Sequence, residues 1–194
     1  MSAARVFSRI YDRDSWNGGS GPGSAEENTV EYRRLLQRYL SVTEGCRVVD
    51  VGCGDWQLGS LIDWSGVHYT GVDVVPSVVA ANMERHGAPG VEFVALDALV
   101  DPLPPGDLLL VKDVLQHWPN ADVQRFLARH LPEYAMVVIT NDVSSKSHPA
   151  KVNSDIKLGG WRPIDVERAP FRCEAIERLD YPVLDEWVKR VVVL

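Results

Sequence analysis

Val48-Val49-Asp50-Val51-Gly52-Cys53-Gly54-Asp55 is the stretch that decides the fold. An apolar run of strand length meets a Gly-x-Gly turn, and residues 57–64 then read as a short helix. Glycines at such a turn let a ligand lie against backbone where a β-carbon would collide with it. Asp73 follows about 20 residues on, at the end of the next apolar run, where a carboxylate can take both hydroxyls of a ribose. Asp50, Asp73 and Asp97 fall at three successive strand ends, so a nucleoside is expected across the carboxyl edge of a sheet.

Reading outward, the chain alternates between two patterns. Strands are expected at 46–51, 68–74, 91–96, 107–111 and 134–140, and helices at 77–86 and 121–130. Leu108, Leu109 and Leu110 form a continuous apolar run, which marks a strand covered on both faces. Strands alternating with helices imply a parallel sheet, because each right-handed crossover needs a helix to return the chain. The expected fold is therefore α/β with a doubly wound, mostly parallel sheet. Residues 174–181 and 187–194 read as an antiparallel hairpin closing one edge.

Before the glycine turn, residues 14–24 contain Gly18, Gly19, Gly21 and Gly23 and read as a loop, so 1–24 is expected to be a flexible leader or lid. A helix is expected over 25–40. Ser24 is its candidate N-cap, and Tyr32, Leu35, Leu36, Tyr39 and Leu40 form its apolar stripe. Residues 143–173 show no helical period and are expected as an irregular loop on the substrate side. No linker divides the 194 residues, so one domain is expected.

Composition narrows the function. The chain has 27 acidic and 20 basic side chains, a formal charge of -7, which disfavours a nucleic-acid partner. It has no apolar run of the roughly 18 residues that a membrane span needs. Arg5, Arg9 and Arg13 near the start lack the apolar stretch of a signal peptide, so a cytoplasmic protein is expected. Cys46, Cys53 and Cys173 show no paired spacing, and His68, His86, His130 and His148 lack partners at ligand spacing. Reduced thiols and no metal are expected.

The identity of the nucleoside follows from what is missing. A dinucleotide turn places a third glycine where this chain has Gln57, and Asp55 would repel a phosphate. A cofactor carrying an amino group and a sulfonium tolerates Asp55. A nicotinamide-dependent oxidoreductase or epimerase is the alternative enzyme, and it lacks both the third glycine and a Tyr-x-x-x-Lys pair. A nucleoside-binding module of the same fold without catalysis is the alternative outside enzymes.

Residues 50–54 resemble motif I of the class I S-adenosylmethionine-dependent methyltransferases, with Trp56 where that pattern usually has another glycine. The resemblance implies ribose binding by Asp73 and contact of Asp97 with the adenine amino group. It places Asp50, Gly52, Gly54, Asp55, Val74, Ala98 and Lys112 on the cofactor side. The segment 107–118 resembles motif IV, where the methyl group meets its acceptor. A narrower resemblance links Ser20 to Ser24, Gly52 to Asp55, Lys112-Asp113 with His117, and Trp161-Arg162-Pro163 to small bacterial and viral methyltransferases.

The implied activity is methyl transfer from S-adenosylmethionine to oxygen or nitrogen of a small-molecule acceptor. Such a displacement needs a positioned nucleophile and, for a hydroxyl, removal of its proton. His117 is the candidate base, because an imidazole titrates near neutrality, and Asp113 is the candidate to hold it or the substrate. Trp161 and Arg162 are the candidate substrate wall and clamp.

Overall fold

The computed structural model describes residues 2–146, 151–184 and 186–194. Seven strands form one sheet: β1 (Arg47–Val51), β2 (His68–Asp73), β3 (Val91–Ala95), β4 (Leu108–Lys112), β5 (Met136–Ser145), β6 (Glu177–Val183) and β7 (Trp187–Val193). Their order is β3-β2-β1-β4-β5-β7-β6. The first five run parallel, and β7 joins β5 antiparallel with β6 outside it. The fold is thus the α/β sheet with an antiparallel edge that the alternating pattern implies.

Successive side chains of a strand point to opposite faces. Val49, Val51, Leu109, Val111, Val137 and Ile139 therefore pack on one side, and Val48, Leu108, Leu110 and Val138 on the other. The first face is covered by α1 (Ala3–Asp12), through Ala3 and Phe7, and by α4 (Asn120–His130), through Val123, Phe126 and Leu127. The second is covered by α2 (Val30–Leu40), through Tyr32, Leu35, Leu36 and Leu40, and by Val79 of α3 (Pro76–His86).

Three local expectations change. The leader begins as a helix, α1, rather than as irregular chain. The helix expected over 25–40 starts only at Val30 after two 3-10 turns, Pro22–Ser24 and Glu26–Asn28, so Ser24 is not its N-cap. Asn28 fixes this compact entry by donating from Nδ2 to the Pro22 carbonyl at 2.8 Å. The helix expected over 57–64 is reduced to one 3-10 turn, Gly59–Leu61. In addition, β5 runs to Ser145, five residues past the expected end, because β7 pairs with its extension. His148 lies outside the described residues. Among the described residues no helix is long and apolar enough to cross a membrane.

Candidate functional site

The carboxyl ends of β2, β1 and β4 lie side by side and open onto a cavity of about 640 Å³. That size lies within the usual range for small-molecule sites. Gly52, Asp73, Val74, Asp97, Ala98, Lys112, Asp113, His117 and Trp161 all line it. The sequence-predicted residues Asp50, Gly54, Asp55 and Arg162 do not.

The glycine turn owes its composition to protein neighbours. Gly52 and Gly54 adopt φ of +72° and +57°. A β-carbon on Gly52 would lie 2.3 Å from Cγ2 of Val114, and one on Gly54 would lie 2.0 Å from Oγ of Ser20. Close approach is thus required, as expected, but by Val114 and by the leader. Trp56, where motif I usually has another glycine, adopts φ +59°, its ring packed beside Tyr69, His86 and Phe93.

Asp55 is engaged by the leader. Its Oδ1 accepts the Ser20 hydroxyl at 2.7 Å, and its own amide donates back to Ser20 Oγ at 3.0 Å. Gln57 Nε2 adds bonds to Asp55 Oδ2 and to the Gly18 carbonyl. Lys112 Nζ holds the Gly23 carbonyl at 2.9 Å. The leader is therefore tied down on both sides of the turn, and Tyr11, Trp16, Ser20 and Gly23 become cavity wall.

Asp50 faces a smaller recess behind the turn, and Tyr69 donates to its Oδ2 at 2.8 Å. Burial pushes this carboxyl up to about 7, against the opposing pull of Tyr69 and Lys112. Asp73 is 7% exposed. It accepts backbone N–H groups from Gly54 at 3.1 Å and Val75 at 2.9 Å, and it forms no salt bridge among the described residues. Burial raises its pKa, opposed by those backbone donors. A carboxylate in this state, with unused lone pairs on a cavity wall, fits the paired hydroxyls of a sugar. Val74, Leu96 and Ala98 beside it supply an apolar surface of the kind a purine covers. The residues present therefore fit an adenosyl group.

A buried charge network closes the next part of the wall. Asp113 follows β4 in a left-handed conformation, φ +59°, with its amide bonded to the Thr140 carbonyl. Lys112 Nζ lies 2.5 Å from Asp113 Oδ2, and Lys189 Nζ lies 2.6 Å from Oδ1. Lys189 also reaches Asp142 Oδ1 at 2.8 Å. Burial would raise Asp113, but Lys112 and Lys189 outweigh it and hold the carboxyl well below its usual range.

His117 sits in the 3-10 turn Leu115–His117, buried beside Trp16, with ring centroids 5.3 Å apart. Its Nδ1 is 2.8 Å from the Gly160 carbonyl. A carbonyl only accepts, so Nδ1 carries the proton and Nε2 presents a lone pair. Burial lowers the pKa, against the Gly160 hydrogen bond, which keeps the ring neutral at pH 7. Asp113 forms no hydrogen bond with this ring; its partners are Lys112 and Lys189. Among the described residues no group of three His, Cys, Asp or Glu is placed to hold a metal ion.

Trp161 lines the cavity, and its Nε1 donates to Asp142 Oδ2 at 3.4 Å. Arg162 is fully buried instead of clamping a ligand. Its Nη1 donates to the Leu115 carbonyl at 2.6 Å, and its Nη2 to the Trp118 carbonyl and Asn120 Oδ1, both at 2.9 Å. It braces the turn that carries His117.

Lys189, Asp142 and Gln116 were not found by sequence reasoning. A signal existed for Lys189, which shares a strand face with Trp187, Val191 and Val193 by the period of two. Asp142 lies on the carboxyl extension of a parallel strand, the edge where ligands sit in such sheets.

Comparison with known proteins gives a family and a fold. The model of the O-methyltransferase domain family matches residues 2–157. Anthranilate N-methyltransferase of Ruta graveolens is 27% identical over 146 residues, covering 73% of this chain and 36% of that protein. The chain spans less than half the length of the curated relatives it matches. Among solved structures, magnesium protoporphyrin IX methyltransferase from Synechocystis, with bound SAH, superposes with a TM-score of 0.71 at 12% identity, covering 99% of this chain and 98% of that one. The [4+2]-cyclase SpnF superposes at 0.68 and 17% identity, covering 98% and 94%. At such identities the likeness is one of fold. With its model spanning most of the residues that build the sheet and the cavity, the O-methyltransferase domain family is the one to which this chain belongs.

Proposed function

We propose that the chain binds S-adenosylmethionine in this cavity and transfers its methyl group to oxygen or nitrogen of a small, flat acceptor. The observation that carries the reading is that Asp73 and a neutral His117 line the same cavity. Asp73 ends β2 and Asp113 follows β4, two strand positions away, which sets the two regions roughly 10 Å apart. That span suits a sugar at one place and a reacting group at the other. Support for the cofactor comes from a neighbour of the same fold solved with SAH.

When bound, the cofactor supplies a methyl group made electrophilic by a sulfonium. The chain's own residues do the rest. Asp73 accepts the sugar hydroxyls, and Val74, Leu96 and Ala98 cover the base, with Asp97 at the rim. His117 Nε2 takes the proton of an acceptor hydroxyl as its oxygen attacks, while the Gly160 carbonyl fixes the tautomer. Trp16, Trp161 and Trp187 wall the acceptor side, and Trp161 and Trp187 meet edge-on at 4.8 Å. Aromatic walls of this kind suit an aromatic acceptor. The leader, through Ser20 and Gly23, covers the site as a lid.

The reading is tested by calorimetric titration with S-adenosylhomocysteine. Asp73→Asn should weaken binding by at least about ten-fold, the scale of a lost charge-assisted hydrogen bond. No heat with the unaltered protein would remove the proposal.

A further inference from the structure

Resting on the methyl-transfer reading, we propose that the cavity selects uncharged acceptors and rejects those bearing a carboxylate. Among the described residues, four carboxylates line the cavity, Asp73, Asp97, Asp113 and Asp142, against two ammoniums, Lys112 and Lys189. Both ammoniums are already matched. Lys189 lies between Asp113 at 2.6 Å and Asp142 at 2.8 Å, and Lys112 lies between Asp113 at 2.5 Å and the Gly23 carbonyl at 2.9 Å.

These four side chains are largely withdrawn from water, the most exposed being Asp113 at 18%. Arg162, the remaining cation near the acceptor wall, faces the Leu115 and Trp118 carbonyls and does not line the cavity. An acceptor carboxylate brought here would lose its hydration and find no unmatched cation among the described residues, with Asp113 and Asp142 close by. A buried anion without a partner is strongly disfavoured. A hydroxyl or ether oxygen meets no such obstacle, since each ammonium retains N–H capacity for a neutral acceptor.

The net negative wall on the cofactor side deepens the preference. Asp73 and Asp97 form no salt bridges among the described residues, and the cofactor's sulfonium, ammonium and carboxylate together bring only one net positive charge to them. The selectivity is thus set by Asp113 and Asp142 acting through Lys189, which makes the two carboxylates positioning residues for the acceptor rather than reacting groups.

The test is a panel of matched aromatic pairs, each an aryl alcohol and its aryl carboxylate, including 4-hydroxybenzyl alcohol with 4-hydroxybenzoate. Binding is read by tryptophan fluorescence and saturation-transfer NMR with S-adenosylhomocysteine present and absent. Neutral members should bind at least about ten-fold tighter than their carboxylate partners. Asp142→Asn, which leaves Lys189 with excess charge, should narrow that gap by a similar factor. Asp113→Asn, whose side chain tolerates the left-handed backbone, serves as the second variant if the first folds poorly.

Carboxylates binding as well as or better than their neutral partners would overturn the proposal, as would a gap unchanged in both folded variants. A panel with no binder in either class would overturn it too, since the cavity would then not receive such acceptors. Failure of S-adenosylhomocysteine to bind, with the neutral preference intact, would instead sink the methyl-transfer reading and leave the selectivity standing.

Discussion

Asp142 and Lys189 stand directly opposite each other across the antiparallel ladder of β5 and β7, with Nζ 2.8 Å from Oδ1. The ladder itself holds the pair in place, beside a register shift between Asp142 and Ser144. Lys189→Met would leave Asp113 and Asp142 facing each other with one cation fewer. The expected cost is about 3–5 kcal/mol, a fall in melting temperature of roughly 10 °C at pH 7.5. The loss should shrink toward pH 5, because Asp113, deprived of the charge of Lys189, takes up a proton more readily. Thermal melts across this range check both statements.

His117 gives a pH signature. Burial lowers its pKa below the unfolded imidazole value, so the neutral base persists down through pH 6.5. Turnover should be flat above that point and fall at lower pH. The sign for stability is the same, because the unfolded chain binds the proton more readily, so this group's contribution is complete above about pH 6.5 and lost as pH drops. His117→Ala should reduce kcat by roughly 10²- to 10⁴-fold while S-adenosylhomocysteine affinity stays within about two-fold. A kcat reduced less than five-fold would show that the acceptor proton leaves by another route.

Ser20 and Asp55 clasp the leader onto the glycine turn through three bonds, two of which use the Ser20 hydroxyl. Ser20→Ala should therefore cost about 1 kcal/mol and expose residues 14–24 to faster protease cleavage. Release of S-adenosylhomocysteine, followed by stopped flow, should quicken several-fold. Asp55→Ala should behave alike, and the double variant should be no worse than either alone, as residues in one network are not additive.

Arg162 separates bracing from ligand binding. Arg162→Met removes donors from the Leu115 and Trp118 carbonyls and from Asn120. Each buried acceptor left unmet costs about 1–3 kcal/mol, so a large drop in melting temperature is expected. Below the melt, S-adenosylhomocysteine affinity should be near that of the unaltered protein. An acceptor KM raised many-fold with an unchanged melt would return Arg162 to the substrate.

The sheet was legible because its signals are local. Val48 and Val49 divide between two faces, and Leu108 to Val111 could only be a strand covered on both sides. The strand-end carboxylate Asp73 was equally legible, since its place follows from the strand that carries it. What was hidden depends on contacts distant in sequence. Helix α1 is the exception: Ala3, Phe7, Ile10 and Tyr11 recur at helical spacing, a local signal outweighed by the glycine-rich loop that follows it. Asp55 read as a ligand contact because nothing local shows Ser20, 35 residues away, bonded to it. Arg162 read as a substrate clamp because an arginine in irregular chain is usually solvated, and only the packed structure reveals the carbonyls it satisfies.

The cavity draws its walls from regions far apart along the chain: residues between Ala3 and Ser24 on one side, and Val183, Leu184, Trp187 and Lys189 on the other. A small molecule lodged between them acts as a molecular rivet, fastening remote stretches of polypeptide. Its binding energy adds to folding by mass action, so saturation should raise the melting temperature and protect both stretches from protease together.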